Sequence, residues 1–249
     1  MRLVLILVLM ASPALADRLE GRRSLSDTPW GYGIVTAPTR AGAEAQRFEV
    51  RPGDCAAQPG WDDCARDRER SEFRPDLEWA PGRDTWIGFS VYLPPDFEDS
   101  RNVNTSLFQI HRSGGPQRVA GGRTSNPPLM QIEARGGTLG VTIFVTDGPN
   151  PHAALATLAQ MRGRWTDIAV HFDDRDPPML EVYVNGEVGA IFTDWPLPDP
   201  DFYYLKYGLY RSFVSRHGGP MPTQVAIFDE MRVGIEPGAV IPDPGNPVD

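Results

Sequence analysis

The chain has 249 residues, and one residue in five is glycine or proline, with 25 of each. Average usage of the two together is about 12 per cent, so the composition excludes folds built from long helices, such as bundles and coiled coils. With 41% hydrophobic residues the chain can still bury a core, which excludes wholesale disorder. The formal charge of −9 argues against a general nucleic-acid binder, because such proteins need a net basic surface.

The first residues predict export. Arg2 provides a positive start, residues 3–10 are an unbroken apolar run, and residues 14–16 (Ala-Leu-Ala) fit a small-x-small cleavage site. The apolar run is far shorter than the roughly 20 residues that cross a bilayer. We therefore expect a signal peptide at residues 1–16, a mature chain that begins at Asp17 and is secreted or periplasmic, and no membrane partner.

The two cysteines, Cys55 and Cys64, lie nine positions apart in the segment PGDCAAQPGWDDC. In an oxidising compartment an even pair at short spacing favours a disulfide. A metal site would need further ligands nearby, and the four histidines are scattered along the chain. A catalytic thiol is the other alternative, but it would be exposed to oxidation. We predict a structural disulfide.

Alternation of apolar residues with a period of two recurs through the chain and predicts strands. The clearest stretches are residues 87–93, 138–145, 168–172 and 224–233. Within residues 180–192, Asn185-Gly186 separates two apolar runs, which predicts a β-hairpin because both residues tolerate a positive φ.

Only residues 151–161 (PHAALATLAQM) look helical. Many short strands separated by turns indicate a sandwich or jelly roll, and about 230 residues is acceptable for one all-β domain. We expect an all-β fold at residues 17–235: a β-jelly roll, or concanavalin-like sandwich, of two antiparallel sheets with a concave groove. A proline-rich tail is expected at residues 236–249.

Several catalytic motifs are absent from the sequence. It has no Gly-x-Ser-x-Gly elbow, no His-Glu-x-x-His zinc helix, no phosphate-binding Gly-x-x-x-x-Gly-Lys loop and no dinucleotide fingerprint. Two acidic loops, residues 96–99 and 173–176, could hold a structural calcium ion through carboxylate oxygens. Neither has EF-hand spacing, and solvated acidic loops are the commoner alternative.

Three strand-like segments, at residues 68–74, 106–111 and 203–210, carry polar residues on one face, since alternate residues of a strand point the same way. The polar positions are Arg68, Arg70, Glu72 and Arg74 in the first segment, Gln109 and His111 in the second, and Tyr204, Lys206 and Tyr210 in the third. Each segment alone is typical of an ordinary sheet face. Together they could line one face with groups that bind a carboxylated sugar and move a proton on it.

In this order, Arg-Ser-Glu-Phe-Arg, Gln-Ile-His and Tyr-Leu-Lys-Tyr-Gly-Leu-Tyr resemble the signature strands of the jelly-roll polysaccharide lyases. The alginate lyases of that fold carry Arg-(Thr/Ser)-Glu-Leu-Arg, Gln-(Ile/Val)-His and Tyr-Phe-Lys-x-Gly-x-Tyr. The layout of residues 47–234 is also similar to heparin-lyase-like and glucuronan-lyase-like bacterial proteins. Phe73, Leu205 and Tyr207 depart from the alginate lyase pattern, on the core face and the groove floor, and so concern the substrate more than the reaction.

The resemblance implies an exported enzyme that cleaves a 1,4-linked uronate polysaccharide, such as glucuronan or alginate, by β-elimination. It implies that no cofactor or metal is required. The implied catalytic set is Arg70, Gln109, His111 and Tyr210, and the implied substrate-binding set is Glu72, Arg74, Tyr204 and Lys206.

These residue types suit β-elimination. Arg70 and Gln109 would neutralise the carboxylate beside C5, and His111 titrates near the working pH and suits the base. Tyr210 would protonate the leaving oxygen, or take both proton-transfer roles if Arg70 and Lys206 lowered its pKa.

We expect a monomer whose partner is an acidic polysaccharide. The main alternative is a non-catalytic, lectin-like carbohydrate-binding protein on the same sandwich, which would not need His111 and Tyr210 to converge. A jelly-roll glycoside hydrolase would need two carboxylates flanking the bond. Asp229 and Glu230 are adjacent and would face opposite ways on a strand, so they do not supply such a pair.

Overall fold

The computed structural model describes residues 19–120 and 123–240, so the predicted signal peptide and residues 241–249 of the predicted tail lie outside the described residues. The described strands are β1 (Gly21–Ser24), β2 (Tyr32–Val35), β3 (Ala45–Val50), β4 (Ala57–Gln58), β5 (Trp61–Asp62), β6 (Arg68–Pro75), β7 (Glu78–Trp79), β8 (Asp84–Tyr92), β9 (Asn104–Ser113), β10 (Arg118–Ala120), β11 (Arg123–Ser125), β12 (Met130–Arg135), β13 (Thr138–Ile143), β14 (His152–Thr157), β15 (Trp165–Asp173), β16 (Met179–Val184), β17 (Glu187–Thr193), β18 (Phe202–Ser212) and β19 (Gln224–Gly234). The described helical segments are one α-helical turn, α1 (Leu158–Met161), and two 3-10 turns, Val214–His217 and Pro237–Ala239.

Two large antiparallel sheets form the body of the molecule. The first sheet has the strand order β1-β6-β18-β9-β12-β13-β14, with β7 also paired to β18. The second sheet has the order β17-β16-β15-β8-β19-β3-β2, and β4-β5 and β10-β11 are small separate hairpins. This architecture confirms the predicted all-β fold of two antiparallel sheets.

The core lies between the two sheets and follows the alternation seen in the sequence. Ile87, Phe89 and Val91 of β8 are buried and face the first sheet. Phe89 stacks on Phe108 of β9, with the ring centroids 4.9 Å apart. Burying a side chain of this size stabilises the fold by about 1.5–3 kcal/mol, so the aromatic layer fixes which face of each strand points outward.

The hairpin predicted at Asn185-Gly186 is confirmed. These two residues connect β16 and β17, and their φ values are +51° and +82°. Two successive positive φ angles match the right-handed twist of the flanking strands.

The helix predicted at residues 151–161 is mostly wrong. Residues 152–157 form β14 and pair with β13, and only the last turn, α1, is helical. The helix preference of alanine is worth a few tenths of a kcal/mol per residue. Hydrogen bonding along β13 and the packing of Leu155 against the core outweigh that preference.

Residues 237–240 pack on the second sheet rather than leaving the domain. Val240 is fully buried, and its carbonyl oxygen would lie only 2.0 Å from a Cβ atom at position 88. Only glycine at position 88 lets the chain cross β8 here. Residues 237–240 of the predicted tail therefore contact the second sheet. None of the helical segments in the described part of the chain has the length and apolar character needed to cross a membrane.

Candidate active site

The three motif strands are neighbours in the first sheet, in the order β6-β18-β9. Their register sets Tyr210 opposite Arg70, Lys206 opposite Gln109, and Tyr204 opposite His111. The alternate residues of these strands, such as Leu205 and Phe108, are in the core. The predicted site residues therefore share the outward face of the first sheet, which we call the polar face.

The polar face is not an ordinary solvated sheet surface. Arg70 is only 3% exposed, and Glu72 and Gln109 are each 2% exposed. Charged side chains are almost never buried to this degree unless they are paired. The contacts that pair them define the site.

Arg70 is held by two carboxylates. Its Nε and Nη2 donate to Asp63 at 2.5 and 2.6 Å, and its Nη1 donates to Glu72 Oε2 at 3.0 Å. Burial lowers the pKa of Arg70, but the neighbouring carboxylates of Glu72 and Asp63 outweigh it and raise the pKa above its ordinary value. The guanidinium stays charged, with its donors occupied by protein acceptors.

The Asp63 carboxylate is positioned by the disulfide loop. The predicted Cys55–Cys64 disulfide is confirmed, with the Cα atoms 5.1 Å apart. It closes the segment that contains β4 and β5, and Asp63 immediately precedes Cys64. The disulfide thus restrains the residue that orients Arg70.

Arg70 also supports the ring of Tyr210, since its Cζ lies 4.3 Å from the ring centroid. A guanidinium at this distance attracts the ring face electrostatically. With its donors directed to Asp63 and Glu72, Arg70 positions Tyr210 in this structure. The sequence predicts Arg70 as a fixed positive charge beside the substrate carboxylate, whereas in the structure its donors are directed to protein carboxylates.

Gln109 is tied into the same network. Its Nε2 donates to Glu72, and its Oε1 accepts from Gln131 Nε2 at 3.3 Å. Glu72 therefore bridges Arg70 and Gln109, which explains the acidic position inside an otherwise basic motif.

Lys206 is the cation of the polar face whose donors are free: its ammonium makes no hydrogen bond or ion pair with residues 19–120 or 123–240. Burial, and then the charges of Arg70 and Arg74, lower the pKa of Lys206 to about 8, against an opposing effect of Glu72. At neutral pH the side chain is still charged. It can therefore bind a carboxylate beside Gln109.

His111 is held as a neutral imidazole. Its ring stacks on Tyr204 with the centroids 4.8 Å apart, and its Nδ1 is 3.0 Å from the carbonyl oxygen of Arg112. Burial, with a further contribution from the charge of Lys206, lowers the pKa of His111 to about 3, so the titration near the working pH that the sequence predicts is not found. The Arg112 amide also approaches Nδ1, at 2.9 Å, and it donates to Nδ1 in the tautomer that carries the proton on Nε2. In the other tautomer Nδ1–H donates to the carbonyl oxygen, and Nε2 carries the lone pair that can accept a proton.

Tyr210 is held as a phenol. Its hydroxyl accepts a hydrogen bond from Arg68 Nε at 3.1 Å. Burial raises the pKa of Tyr210, and this effect exceeds the lowering by Arg70 and Arg68. The expected lowering of this pKa is therefore not found, and the group is suited to give a proton rather than take one.

Gly208 sets the direction of Tyr210. It has a φ of +125° at a bulge in β18, and a Cβ atom here would lie 2.4 Å from the Ser71 carbonyl oxygen. Glycine is required by both the backbone angle and the space. The bulge keeps Tyr210 on the polar face beside Arg70.

The strand register separates the backbone positions of His111 and Tyr210. His111 lies opposite Tyr204, whereas Tyr210 lies opposite Ser106, five residues away along β9. Five residues of strand span about 16 Å. The hydrogen bond from Arg68 also draws the Tyr210 hydroxyl away from His111, because Arg68 pairs with Ser212 further along β18.

Arg74 and Tyr204 form the end of the polar face next to His111. The Cζ of Arg74 lies 4.0 Å from the Tyr204 ring centroid, and its Nη2 pairs with Glu78. Burial raises the pKa of Tyr204 to about 12. Both side chains are half-buried, and the Tyr204 ring contacts both Arg74 and the imidazole.

Several residues of the polar face were missed from the sequence. They are Asp63, Gln131, Glu133, Thr142 and His152. Glu133 is buried beside Asn104 and Thr142, and burial raises its pKa. The alternation in Met-Gln-Ile-Glu at residues 130–133 is a signal that could have revealed the β12 pair.

The acidic loops have protein partners. Asp99 accepts from the amide of Gly137 at 2.7 Å, and Asp173 pairs with Arg175 at 2.6 Å. The described ranges contain no group of three or more His, Cys, Asp or Glu side chains arranged to hold a metal ion.

A cavity of about 540 Å³ lies elsewhere, lined in part by Trp195 and Tyr203. Its lining contains four aspartates and no basic residue. Such a cavity repels an anionic sugar, so the polar face remains the candidate site.

A family model described as polysaccharide lyase matches residues 16–232. No curated protein sequence matches the chain. Among solved structures, an endo-β-1,4-glucuronan lyase from the fungus Trichoderma reesei is similar with a TM-score of 0.64 and 16% identity, over 91% of this chain and 92% of that one.

Two further structures share the sandwich. Alginate lyase A1-II′, a member of polysaccharide lyase family 7, has a TM-score of 0.56 and 17% identity, over 84% of each chain. The binding domain of Paraclostridial Mosquitocidal Protein 1 has a TM-score of 0.51 and 12% identity, over 90% of this chain and 45% of that one. At these identities the likeness shows the jelly-roll fold.

Proposed function

The chain belongs to the polysaccharide lyase family, and we propose that it is an exported enzyme that cleaves a 1,4-linked uronate polysaccharide, such as glucuronan or alginate, by β-elimination. One observation carries the proposal: the unpaired ammonium of Lys206 lies on a buried polar face with Gln109 directly opposite and a neutral His111 in the next row. This arrangement suits a carboxylated sugar. The names of the glucuronan and alginate lyases that share the fold support the substrate class.

In the proposed reaction, Lys206 holds the carboxylate next to C5, together with the second N–H of the Gln109 amide, the one that does not donate to Glu72. Removing the C5 proton pushes negative charge onto that carboxylate, so a fixed cation stabilises the transition state more than the ground state. Lys206 takes the neutralising role first predicted for Arg70, whose donors are directed to Asp63 and Glu72.

Proton transfer is divided between His111 and Tyr210, which lie on either side of the row of Lys206 and Gln109. Both side chains therefore have to reach toward that row to act on one linkage. His111 Nε2 accepts the C5 proton, the bond between C4 and its oxygen breaks, and a C4–C5 double bond forms. The leaving oxygen takes the phenolic proton of Tyr210. Positioned groups of this kind typically contribute about 10²–10⁴-fold each. Arg70 acts through Tyr210 as a positioning residue.

The separation of His111 and Tyr210 favours a second candidate, a non-catalytic carbohydrate-binding protein. The same sandwich occurs in a protein region described only as a binding domain. A binding protein needs Lys206 and Gln109 but no proton transfer between two rows of the sheet. The two candidates differ in whether polymer is consumed.

The test is a panel of glucuronan, alginate and heparin-type chains, each incubated with the folded protein. A lyase product contains a carbon–carbon double bond conjugated to the carboxylate, and its ultraviolet absorbance rises with time. A rise on one polymer supports the proposal and names the substrate. Binding without a rise on any of them supports the carbohydrate-binding alternative.

We place the protein outside the cytoplasm, as a monomer that binds an acidic polysaccharide. The Cys55–Cys64 disulfide supports the location outside the cytoplasm, because such bonds persist in oxidising compartments. Calcium in the acidic loops stays a prediction. Titration of the purified protein with calcium, followed by thermal unfolding, tests it: a calcium-dependent rise in midpoint supports the ion.

A further inference from the structure

An exposed aromatic residue lies between two arginines beside Tyr210. Phe213 directly follows β18 and is 41% exposed. The Cζ atoms of Arg68 and Arg216 lie 3.7 and 4.1 Å from its ring centroid. We call these three side chains the arginine–phenylalanine platform. Nothing in the proposed reaction uses Phe213 or Arg216.

The backbone that presents Phe213 is strained and held in place. Phe213 has a φ of +63°, in the left-handed region that bulky residues rarely adopt. Its amide donates to the Asp67 carbonyl at 2.9 Å, and the Asp67 carboxylate accepts from the amide and hydroxyl of Ser215. Strain of this kind costs about 1–3 kcal/mol and persists where neighbours over-determine the backbone, often at ligand sites.

The charges of the platform are not neutralised within the described chain. Arg68 and Arg216 form no salt bridge with a carboxylate of residues 19–120 or 123–240. The polar partners of Arg68 are the Tyr210 hydroxyl and the Asp67 carbonyl oxygen. Two cations on either side of one ring repel each other, and a bound anion would relieve that repulsion.

We infer that the arginine–phenylalanine platform is a binding subsite for a further uronate residue of the polymer, next to the residue that Tyr210 contacts. The inference rests on the proposed function. The planar guanidinium of Arg216 matches a carboxylate in two-pronged geometry. The exposed ring of Phe213 offers an apolar surface to the C–H face of a sugar.

Arg68 couples this subsite to Tyr210. In the structure its Nε donates to the Tyr210 hydroxyl. A carboxylate on the platform competes for the same guanidinium and releases the hydroxyl to turn toward the substrate. Long chains that fill the platform are therefore better substrates than short ones.

The experiment compares Arg216→Gln and Phe213→Gly with the wild type. Glycine suits the positive φ at position 213, so this variant removes the ring without adding strain. Arg164→Gln is the matched control, because Arg164 is also exposed, has no described salt bridge and precedes β15 of the second sheet. Thermal unfolding verifies that each variant is folded.

Two readouts separate the subsite from the lyase proposal. Polymer affinity is measured by gel electrophoresis in the presence of each polyuronate, and kcat and KM are measured on long chains and on trimers. We expect Arg216→Gln and Phe213→Gly to weaken polymer binding and raise KM by about three- to fivefold, with less effect at high salt. The control Arg164→Gln should match the wild type in polymer binding and in turnover of long chains and trimers.

If the variants bind and turn over long chains like Arg164→Gln, the platform is not a subsite, and the lyase proposal stands on wild-type turnover. If the wild type binds polyuronate without cleaving it, and the two variants bind more weakly than the control, the subsite stands and the lyase proposal fails. If the wild type neither binds nor cleaves any polyuronate, both are overturned.

Discussion

Replacing Asp63 with alanine tests whether the ion pair between Asp63 and Arg70 holds the site together. Asp63 is fully buried, and its two carboxylate oxygens accept from Nε and Nη2 of Arg70. The variant leaves a guanidinium that is 3% exposed with two unpaired donors and one remaining carboxylate, Glu72. Removing one partner of a buried ion pair typically costs about 3–5 kcal/mol.

We therefore expect Asp63→Ala to lose about 3–5 kcal/mol of unfolding free energy, measured by urea denaturation followed by tryptophan fluorescence. Glu78→Ala is the control, because it breaks the pair with Arg74 in which the Glu78 side chain is 47% exposed. Such exposed pairs are worth about 0–1 kcal/mol. The m-values of the two variants should agree, so that midpoints can be compared.

The reasoning also predicts lower activity in Asp63→Ala, because Arg70 would no longer be fixed under the Tyr210 ring. Asp63→Asn keeps the volume and one acceptor oxygen, so its loss of stability should be intermediate. A loss below about 1 kcal/mol in Asp63→Ala, equal to that of the control, would refute the claim that this pair organises the site.

Three further predictions concern single residues. The kcat/KM should fall above about pH 8, where Lys206 loses its proton. Lys206→Arg should move this alkaline limb of the pH profile to higher pH. A limb that does not move would show that another group causes the fall. The pKa of His111 is about 3 in the folded chain and about 6.5 in the unfolded chain, so the unfolded chain takes up the proton first and stability is lost as the pH falls from 6.5 to 3. In His111→Gln the drop in urea midpoint between pH 7 and pH 4 should therefore be smaller than in the wild type. An equal drop would contradict the assignment. Gly208→Ala should lose more than about 1 kcal/mol of unfolding free energy in the same denaturation assay, because its φ is positive and a Cβ atom would clash with the Ser71 carbonyl oxygen. Wild-type stability in this variant would show that the bulge adapts.

The face of each motif strand could be read from the sequence. In β6, β9 and β18 the alternation of polar and apolar residues is regular. In β9 it correctly placed Gln109 and His111 on one face of the strand and the core residues Phe108 and Ile110 on the other. A period of two is a local property, so it survives without knowledge of the neighbours. The order of the motifs along the chain then indicated the family.

The partners of those residues could not be read from the sequence. Asp63 reaches Arg70 only because the disulfide loop folds back over the edge of β6, and β12 brings Gln131 to Gln109 only because it pairs with β9. These contacts depend on the path of loops and on strand order. The sequence therefore predicted Arg70 as the charge that neutralises a substrate carboxylate, whereas the fold directs its donors to Asp63 and Glu72.

The pKa of Tyr210 illustrates the same limit. From the sequence, Arg70 and Lys206 were expected to lower it, since the cations are close along the motifs. In the structure burial is the larger effect and raises the pKa. Burial is a property of the assembled sheet, so the balance could not be judged from neighbouring residue types alone.

The central claim, elimination with proton transfer by Tyr210, is tested most directly by the product formed in ¹⁸O-labelled water. The wild type and Tyr210→Phe are incubated with the polyuronate that gives turnover, and the product is followed by ultraviolet absorbance and mass. The account predicts an unsaturated product without incorporated ¹⁸O from the wild type. From Tyr210→Phe it predicts no product although polymer still binds. Full activity in Tyr210→Phe, or a saturated product carrying ¹⁸O, would contradict it.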